Sequence, residues 1–253
     1  MDDETLFALM VELHRDGARQ GPGSNEETLR ALELTRLDTS ATLQVADIGC
    51  GTGASTLVLA SKLQNARITA VDLFPEFLDI LSARASAAGC SQKIETLAES
   101  MDSLPFANES LDLIWSEGAI YNIGFAKGIE TWRPILRPGG VIAVSEITWL
   151  RPDPPEEIRQ HWSAEYSEIA TAPEKIAVLD RGGYDLLGYF VLPSTNWMDN
   201  YYAPTEERIA AFLHRHAGQS EAEELVKMER QEADLYRRFK DWFSYGFYVA
   251  RKR

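Results

Sequence analysis

The sequence predicts an α/β protein: a doubly wound, mostly parallel sheet of seven strands, with an N-terminal helical cap and a helical insertion between the last two strands. Three observations predict it. Between residues 43 and 146, short apolar segments alternate with helical patterns, and such alternation builds a parallel sheet with helices on both faces. The apolar segments lack a two-residue period, as strands do when both faces are buried. A turn, Gly49-Cys50-Gly51-Thr52-Gly53, joins the first strand to the helix after it, at the carboxyl edge where such sheets bind ligands.

The elements follow in order. The first 40 residues form a cap of two helices. Leu6, Leu9, Met10 and Leu13 recur at helical spacing, Gly21-Pro22-Gly23 breaks the chain, and Leu29, Leu32, Leu34 and Leu37 mark the second helix. Ser24 and Glu27 make a capping box at its start. Residues 41–150 form the core: strands at 43–48, 67–72, 93–98, 111–116 and 141–146, and helices at 55–63, 76–88 and 129–136. Residues 151–253 hold substrate-side helices and two last strands, 186–192 and 243–250, the latter pairing with the former. Helices at 206–216 and 221–240 lie between them. The second of these, with pairs such as Glu223–Lys227 and Glu232–Tyr236, reads as a solvated charged face. All three parts belong to one domain.

Composition narrows the function. The 253 residues carry 25 Lys and Arg against 39 Asp and Glu, a net charge of −14, and acid exceeds base in both halves. A nonspecific nucleic-acid binder needs a basic surface to displace counterions, so no nucleic-acid partner is expected. The two cysteines, Cys50 and Cys90, exclude a disulfide scaffold. No apolar run is long enough for a membrane span, and the acidic start lacks the basic region of a signal peptide. A reducing cytoplasm is the expected location. His14, His161, His214 and His216 show no metal-ligand spacing with each other or with the cysteines. They are expected to be solvated or packed, with no metal, and Cys50 to be a small filler.

The glycine turn reads G-x-G-x-G rather than the dinucleotide G-x-G-x-x-G. Asp47, just before it, suits the ammonium of an amino-acid ligand better than a pyrophosphate. Asp72 ends the second strand 19 residues beyond Gly53, where an acid meets ribose hydroxyls. The glycine spacing and Asp47 count against the first rival reading, an NAD(P)-dependent oxidoreductase.

The segment Asp47-Ile48-Gly49-Cys50-Gly51-Thr52-Gly53 resembles motif I of the class I S-adenosylmethionine (SAM)-dependent methyltransferases. Asp72, Met101-Asp102-Ser103-Leu104-Pro105-Phe106, Ser110–Glu117 and Leu136-Arg137-Pro138-Gly139-Gly140 match their later landmarks in the same order. The nearest broad group is the ubiquinone/menaquinone-biosynthesis-like methyltransferases. Arg19–Ser24 and Trp115–Gly124 resemble a bacterial small-molecule subgroup. Glu117-Gly118-Ala119-Ile120-Tyr121-Asn122 replaces the histidine-containing segment of the quinone enzymes, which argues against a quinone acceptor. The resemblance implies a Rossmann-like fold and SAM as methyl donor, with S-adenosylhomocysteine (SAH) as product. It implies that Asp47 and Gly49 hold the methionine end, that Gly51 lets the backbone pass close, that Cys50 is among the cofactor-binding residues, and that Asp72 and Leu73 frame the ribose and adenine. Ser100, Met101 and Asp102 lie on the other side of the adenine, Ser116 and Glu117 beside the cofactor, and Gln20 and Gly23 over the methionine carboxylate. Gly21-Pro22-Gly23 serves equally as a plain helix–helix turn.

Such chemistry needs alignment more than activation, and a base only where the nucleophile carries a proton. Expected at the acceptor are Glu117, Tyr121 and Glu146 as catalytic groups, and Tyr121, Asn122, Trp149, Trp197, Tyr201 and Tyr202 as substrate contacts. Carboxylates and aromatics there suit an amine through charge pairing and cation–π contact. Two structural alternatives stand beside this: Glu146 as a strand-end hydrogen-bond partner, and Trp197, Tyr201 and Tyr202 as subdomain core. The expected activity is methyl transfer to nitrogen or oxygen of a small molecule. The second rival is a SAM-binding protein without catalysis.

Overall fold

The computed structural model describes residues 3–253, with side chains from Thr5 onward. Its strands are β1 (Gln44–Ile48), β2 (Arg67–Asp72), β3 (Ile94–Ala98), β4 (Leu111–Glu117), β5 (Leu136–Trp149), β6 (Ala170–Thr171), β7 (Tyr184–Val191) and β8 (Phe243–Lys252). They lie in one sheet in the order β3-β2-β1-β4-β5-β8-β7, with β6 pairing on β5. The first five strands pair in parallel with one another, and β8 runs antiparallel to both β5 and β7. The chain winds one way from β1 to β3 and the other way from β4 onward. The crevice at that reversal, above β1, is where ligands bind in such sheets.

The unbroken apolar strands have the expected cause. Val45, Leu113, Trp115, Val141 and Ala143 face one core, while Ala46, Ile114, Ile142 and Val144 face another on the opposite side of the sheet. The helices are α1 (Asp3–Arg15), α2 (Asn25–Thr35), α3 (Ala54–Lys62), α4 (Pro75–Ala87), α5 (Phe125–Trp132), α6 (Glu156–Glu165), α7 (Ala172–Arg181), α8 (Ser194–Trp197), α9 (Ala203–Arg215) and α10 (Ser220–Phe239), with a π turn at Met198–Tyr202. A third core, of Leu9, Leu13, Ile209, Phe212, Ala222, Leu225 and Val226, packs α1 against α9 and α10. The cap and the insertion thereby meet as one roof. No helix among the described residues is long and apolar enough to cross a membrane.

Several boundaries differ from the sequence expectation. The helix expected at 129–136 ends at Trp132, because Pro134 has no N–H to continue the ladder, and Leu136 already belongs to β5. The turn Pro138-Gly139-Gly140 is absorbed into that long strand as an irregularity opposite Leu111 and Leu113, with Gly139 at φ +78. The last strand, β8, lies between β5 and β7, which leaves β7 at the edge. The two-residue β6 was not expected. At α2, Ser24 Oγ accepts from the Glu27 N–H at 3.1 Å, but the Glu27 carboxylate faces Arg30 at 3.6 Å, so half of the capping box forms.

Candidate active site

The glycine turn is shaped by lack of space. Gly49, Gly51 and Gly53 all have positive φ, at +73, +53 and +86. A Cβ on Gly49 would sit 2.3 Å from the Ala119 Cβ, and one on Gly53 would sit 2.1 Å from Leu81 Cδ1. The turn is thus pressed between the loop after β4 and helix α4. Asp72 braces it from below: Oδ2 accepts from the Gly51 N–H at 2.8 Å and Oδ1 from the Phe74 N–H at 3.1 Å. A carboxylate has about four acceptor sites, so these two bonds leave capacity for further donors. Burial disfavours the charged form of Asp72 and pushes its carboxyl above the usual value.

Above this turn lies a cavity of about 550 Å³, within the range of small-molecule sites. Of the expected cofactor residues, Gln20, Gly49, Cys50, Gly51, Asp72, Leu73, Ser100, Met101, Asp102 and Glu117 line it. So do Tyr121, Asn122 and Tyr201 from the expected acceptor set. Leu73 is 59% exposed and lines this cavity together with Met101. Burial pushes the Cys50 thiol up, with the Asp47 and Asp72 carboxylates adding to it, so this thiol stays protonated as an inert filler.

Other expected residues are placed elsewhere. Asp47 is fully buried beneath the turn, where Oδ2 accepts from Ser55 Oγ at 2.8 Å and Thr56 Oγ1 at 2.7 Å. Burial pushes its carboxyl up to about 7. Ser116 is fully buried in β4. Gly23 lies beside the Arg19 side chain and donates no surface to the cavity, although Asn200 Nδ2 donates to its carbonyl at 2.9 Å. Trp197 is core: its indole donates to Ser244 Oγ at 2.9 Å and stacks between Tyr236 and Tyr245. Trp149 packs edge-on against Phe243. Tyr202 is 5% exposed and reaches the site only through its hydroxyl, which donates to Glu232 Oε1 at 2.9 Å.

Two of the expected catalytic carboxylates are already engaged. Glu117 receives Arg19 at 2.8 Å on Oε2, and Thr28 Oγ1 at 2.7 Å and Trp115 Nε1 at 2.9 Å on Oε1. It works as the anchor that holds the cap over the turn. Glu146 is buried against Lys175 at 2.6 Å, with the ammonium also over the Phe125 and Tyr166 rings. It lies within β5 and does not line the cavity. Gln20 is likewise committed. Its Oε1 accepts from Thr52 N–H and Oγ1, each at 2.9 Å, and its Nε2 donates to the His14 and Gly17 carbonyls at 3.2 and 3.3 Å.

Sequence reasoning missed the roof. His14, Glu229 and Glu232 line the cavity together with Phe7, Phe74 and Phe77. His14 is 6% exposed, and its Nε2 lies 2.9 Å from Glu229 Oε1. Glu229 and Glu232 sit one turn apart on α10, so they share a face. Burial among protein, with the Glu229 charge adding to it, pushes Glu232 up to about 7. The helix expected to be solvated thus turns two carboxylates inward. The only available signal was the apolar stripe of α10, which packs on α1 and fixes which face is inside. Among the described residues, no group of three or more His, Cys, Asp or Glu side chains is placed to hold a metal.

Comparison with known proteins places this geometry. Residues 45–140 match a family described as a methyltransferase domain. The chain is 32% identical over 153 residues to methyltransferase GfsG of Streptomyces halstedii, covering 57% of this chain and 54% of that one. Across this and two further curated relatives, the chain spans from 35% to 54% of the relative's length. The crystal structure of YjhP from Escherichia coli superposes with a TM-score of 0.85 at 21% identity, covering 97% of this chain and 99% of that one. A SAM-dependent methyltransferase from Geobacter sulfurreducens, in complex with SAH, superposes with a TM-score of 0.83 at 22% identity over 98% of both chains. These matches support the class as a whole and not the ubiquinone/menaquinone-biosynthesis group in particular. The family match thus covers the core of the chain, residues 45–140, and the whole chain has the fold of a SAM-dependent methyltransferase solved with SAH.

Proposed function

We propose that this chain transfers a methyl group from SAM to a nitrogen or oxygen of a small-molecule acceptor. The observation that carries this reading is the continuity of one cavity, from the Gly49–Gly51 turn and Asp72 at one end to the ionisable roof of α1 and α10 at the other. The residues at the first end fit the donor. Side-chain-free positions at 49 and 51 let a ligand approach the main chain. Asp72 retains acceptor capacity for ribose hydroxyls, and Leu73 and Met101 supply apolar contact for the adenine. When bound, SAM supplies a methyl group on a good sulfonium leaving group.

The chain's own part is to bind and align. Gln20 and Glu117 hold the cap over the turn, and the Phe7–Phe74 contact, with ring centroids 4.7 Å apart, brings α1 over the loop that follows β2. Enclosure of this kind fixes the reacting atoms and limits water, which is where most of the rate gain in a displacement arises. Calorimetry with SAH and with NAD tests the reading. SAH is expected to bind and NAD to give no heat; binding of NAD without SAH overturns it. Binding of SAH by a protein that methylates none of a broad acceptor set supports the non-catalytic alternative instead.

A further inference from the structure

The far end of the cavity has a charge pattern that selects its occupant. Its wall carries the carboxylates Glu229 and Glu232 from α10, the phenols Tyr121 and Tyr201, and His14 from α1. Among the described wall residues, the guanidinium of Arg19 already faces Glu117, and the imidazole of His14 faces Glu229. Among the described residues, the donor to Glu232 is the neutral Tyr202 hydroxyl. His14 is nine-tenths buried and lines the cavity, yet its Nδ1 has no hydrogen-bond partner. An anionic acceptor would meet like charge here, whereas a cation would favour the ionised form of Glu232. A cation satisfies the carboxylate and gains the faces of Tyr121 and Tyr201.

We propose that this end of the cavity takes the acceptor as a protonated amine, with the Glu232 carboxylate accepting a proton from its nitrogen; this rests on the proposed methyl transfer. The ammonium gives one proton to a Glu232 carboxylate oxygen and becomes a neutral amine. Its nitrogen lone pair then forms a bond to the methyl carbon as the carbon–sulfur bond breaks, and that electron pair leaves on sulfur. The product is a methylated ammonium and a thioether, and Glu232 returns its proton to water. Glu229 supplies the second negative charge, and its contact with His14 makes His14 a positioning residue. The groups facing Glu232 are Glu229 on its own helix, Tyr202 below it, His14 from α1 and Glu165 from α6. Its upward displacement to about 7 fits a proton acceptor for work near neutrality.

The test uses the full chain saturated with SAH and matched probe pairs, such as phenethylamine with phenethyl alcohol and 1,4-diaminobutane with 1,4-butanediol. Calorimetry is expected to show at least tenfold tighter binding of the amine in one or more pairs. Glu232→Gln should remove that preference while SAH affinity stays within twofold, which shows the variant is folded. Glu229→Gln should weaken amine binding less. With SAM in place of SAH, the bound amine should be methylated with release of one proton per turnover. Absence of any amine preference, or a Glu232→Gln protein that retains it, overturns the proposal. Failure of the wild-type chain to bind SAH overturns the methyltransferase reading instead, so the two failures are distinct.

Discussion

At position 49 there is no room for a side chain. A methyl group there would overlap the Ala119 Cβ at 2.3 Å, on a backbone with φ +73. Gly49→Ala therefore forces the turn away from the β4 loop. Measured calorimetrically, SAH affinity should fall at least tenfold, with a drop in stability of about 1–3 kcal/mol for the positive φ and overpacking. Asp72 is the second determinant. Asp72→Ala leaves the Gly51 and Phe74 N–H groups without their acceptor, each costing about 1–3 kcal/mol where buried, and removes the proposed ribose contact. SAH binding should weaken by at least tenfold; unchanged affinity would refute the ribose assignment. The places of both residues at the turn were legible because they depend on local spacing. Glu117 was not, because its partner Arg19 is 98 positions earlier in the chain. Only the fold shows that three protein donors already hold it.

The cap is the element most exposed to a single substitution. Gln20 joins α1 to the glycine turn through four hydrogen bonds that use both ends of its amide. Gln20→Ala should leave α1 and the core intact but let the cap lift. The expected result is faster SAH dissociation in stopped-flow measurements and faster amide exchange at Thr52, with association little changed. Arg19 and Glu117 form the second tie, and a double-mutant cycle with Arg19→Met and Glu117→Gln should give a coupling of about 1–3 kcal/mol, since both side chains are only 11% exposed. An additive cycle would show that the pair contributes nothing to cap closure. Periodicity revealed both α1 and α10, but not that they touch. Leu9 and Leu13 read as one apolar stripe and Leu225 and Val226 as part of another. Only their joint burial turns Glu229 and Glu232 toward the cavity rather than toward solvent.

At the scale of the whole molecule, the acidic balance affects folding as well as binding. The net charge is −14, and self-repulsion of this kind grows as carboxyls ionise. Asp47 and Glu232 each hold a proton up to about 7 because burial disfavours their charged forms. In the unfolded chain such groups release it at about 4. Between these values the folded protein binds more protons than the unfolded one, so stability falls as pH rises. Above about 7 these two groups cause no further loss. In the opposite sense, the Thr171 hydroxyl and N–H hold Glu174 below its usual range, and Arg230 does the same for Glu206. That stability is lost on going below the usual carboxylate range. The maximum should therefore lie near pH 5, with Tm decreasing from pH 5 to 7.5 in the absence of ligand. Asp47→Asn keeps the shape of the side chain and an oxygen for Ser55 and Thr56 but has no proton to lose. It should flatten the slope and raise Tm at pH 7.5 more than at pH 5. A wild-type Tm that climbs steadily from pH 5 to 7.5 would mean that Asp47 ionises in the folded chain as easily as in water, and that the buried carboxylate beneath the glycine turn is compensated by something other than its two hydroxyl donors.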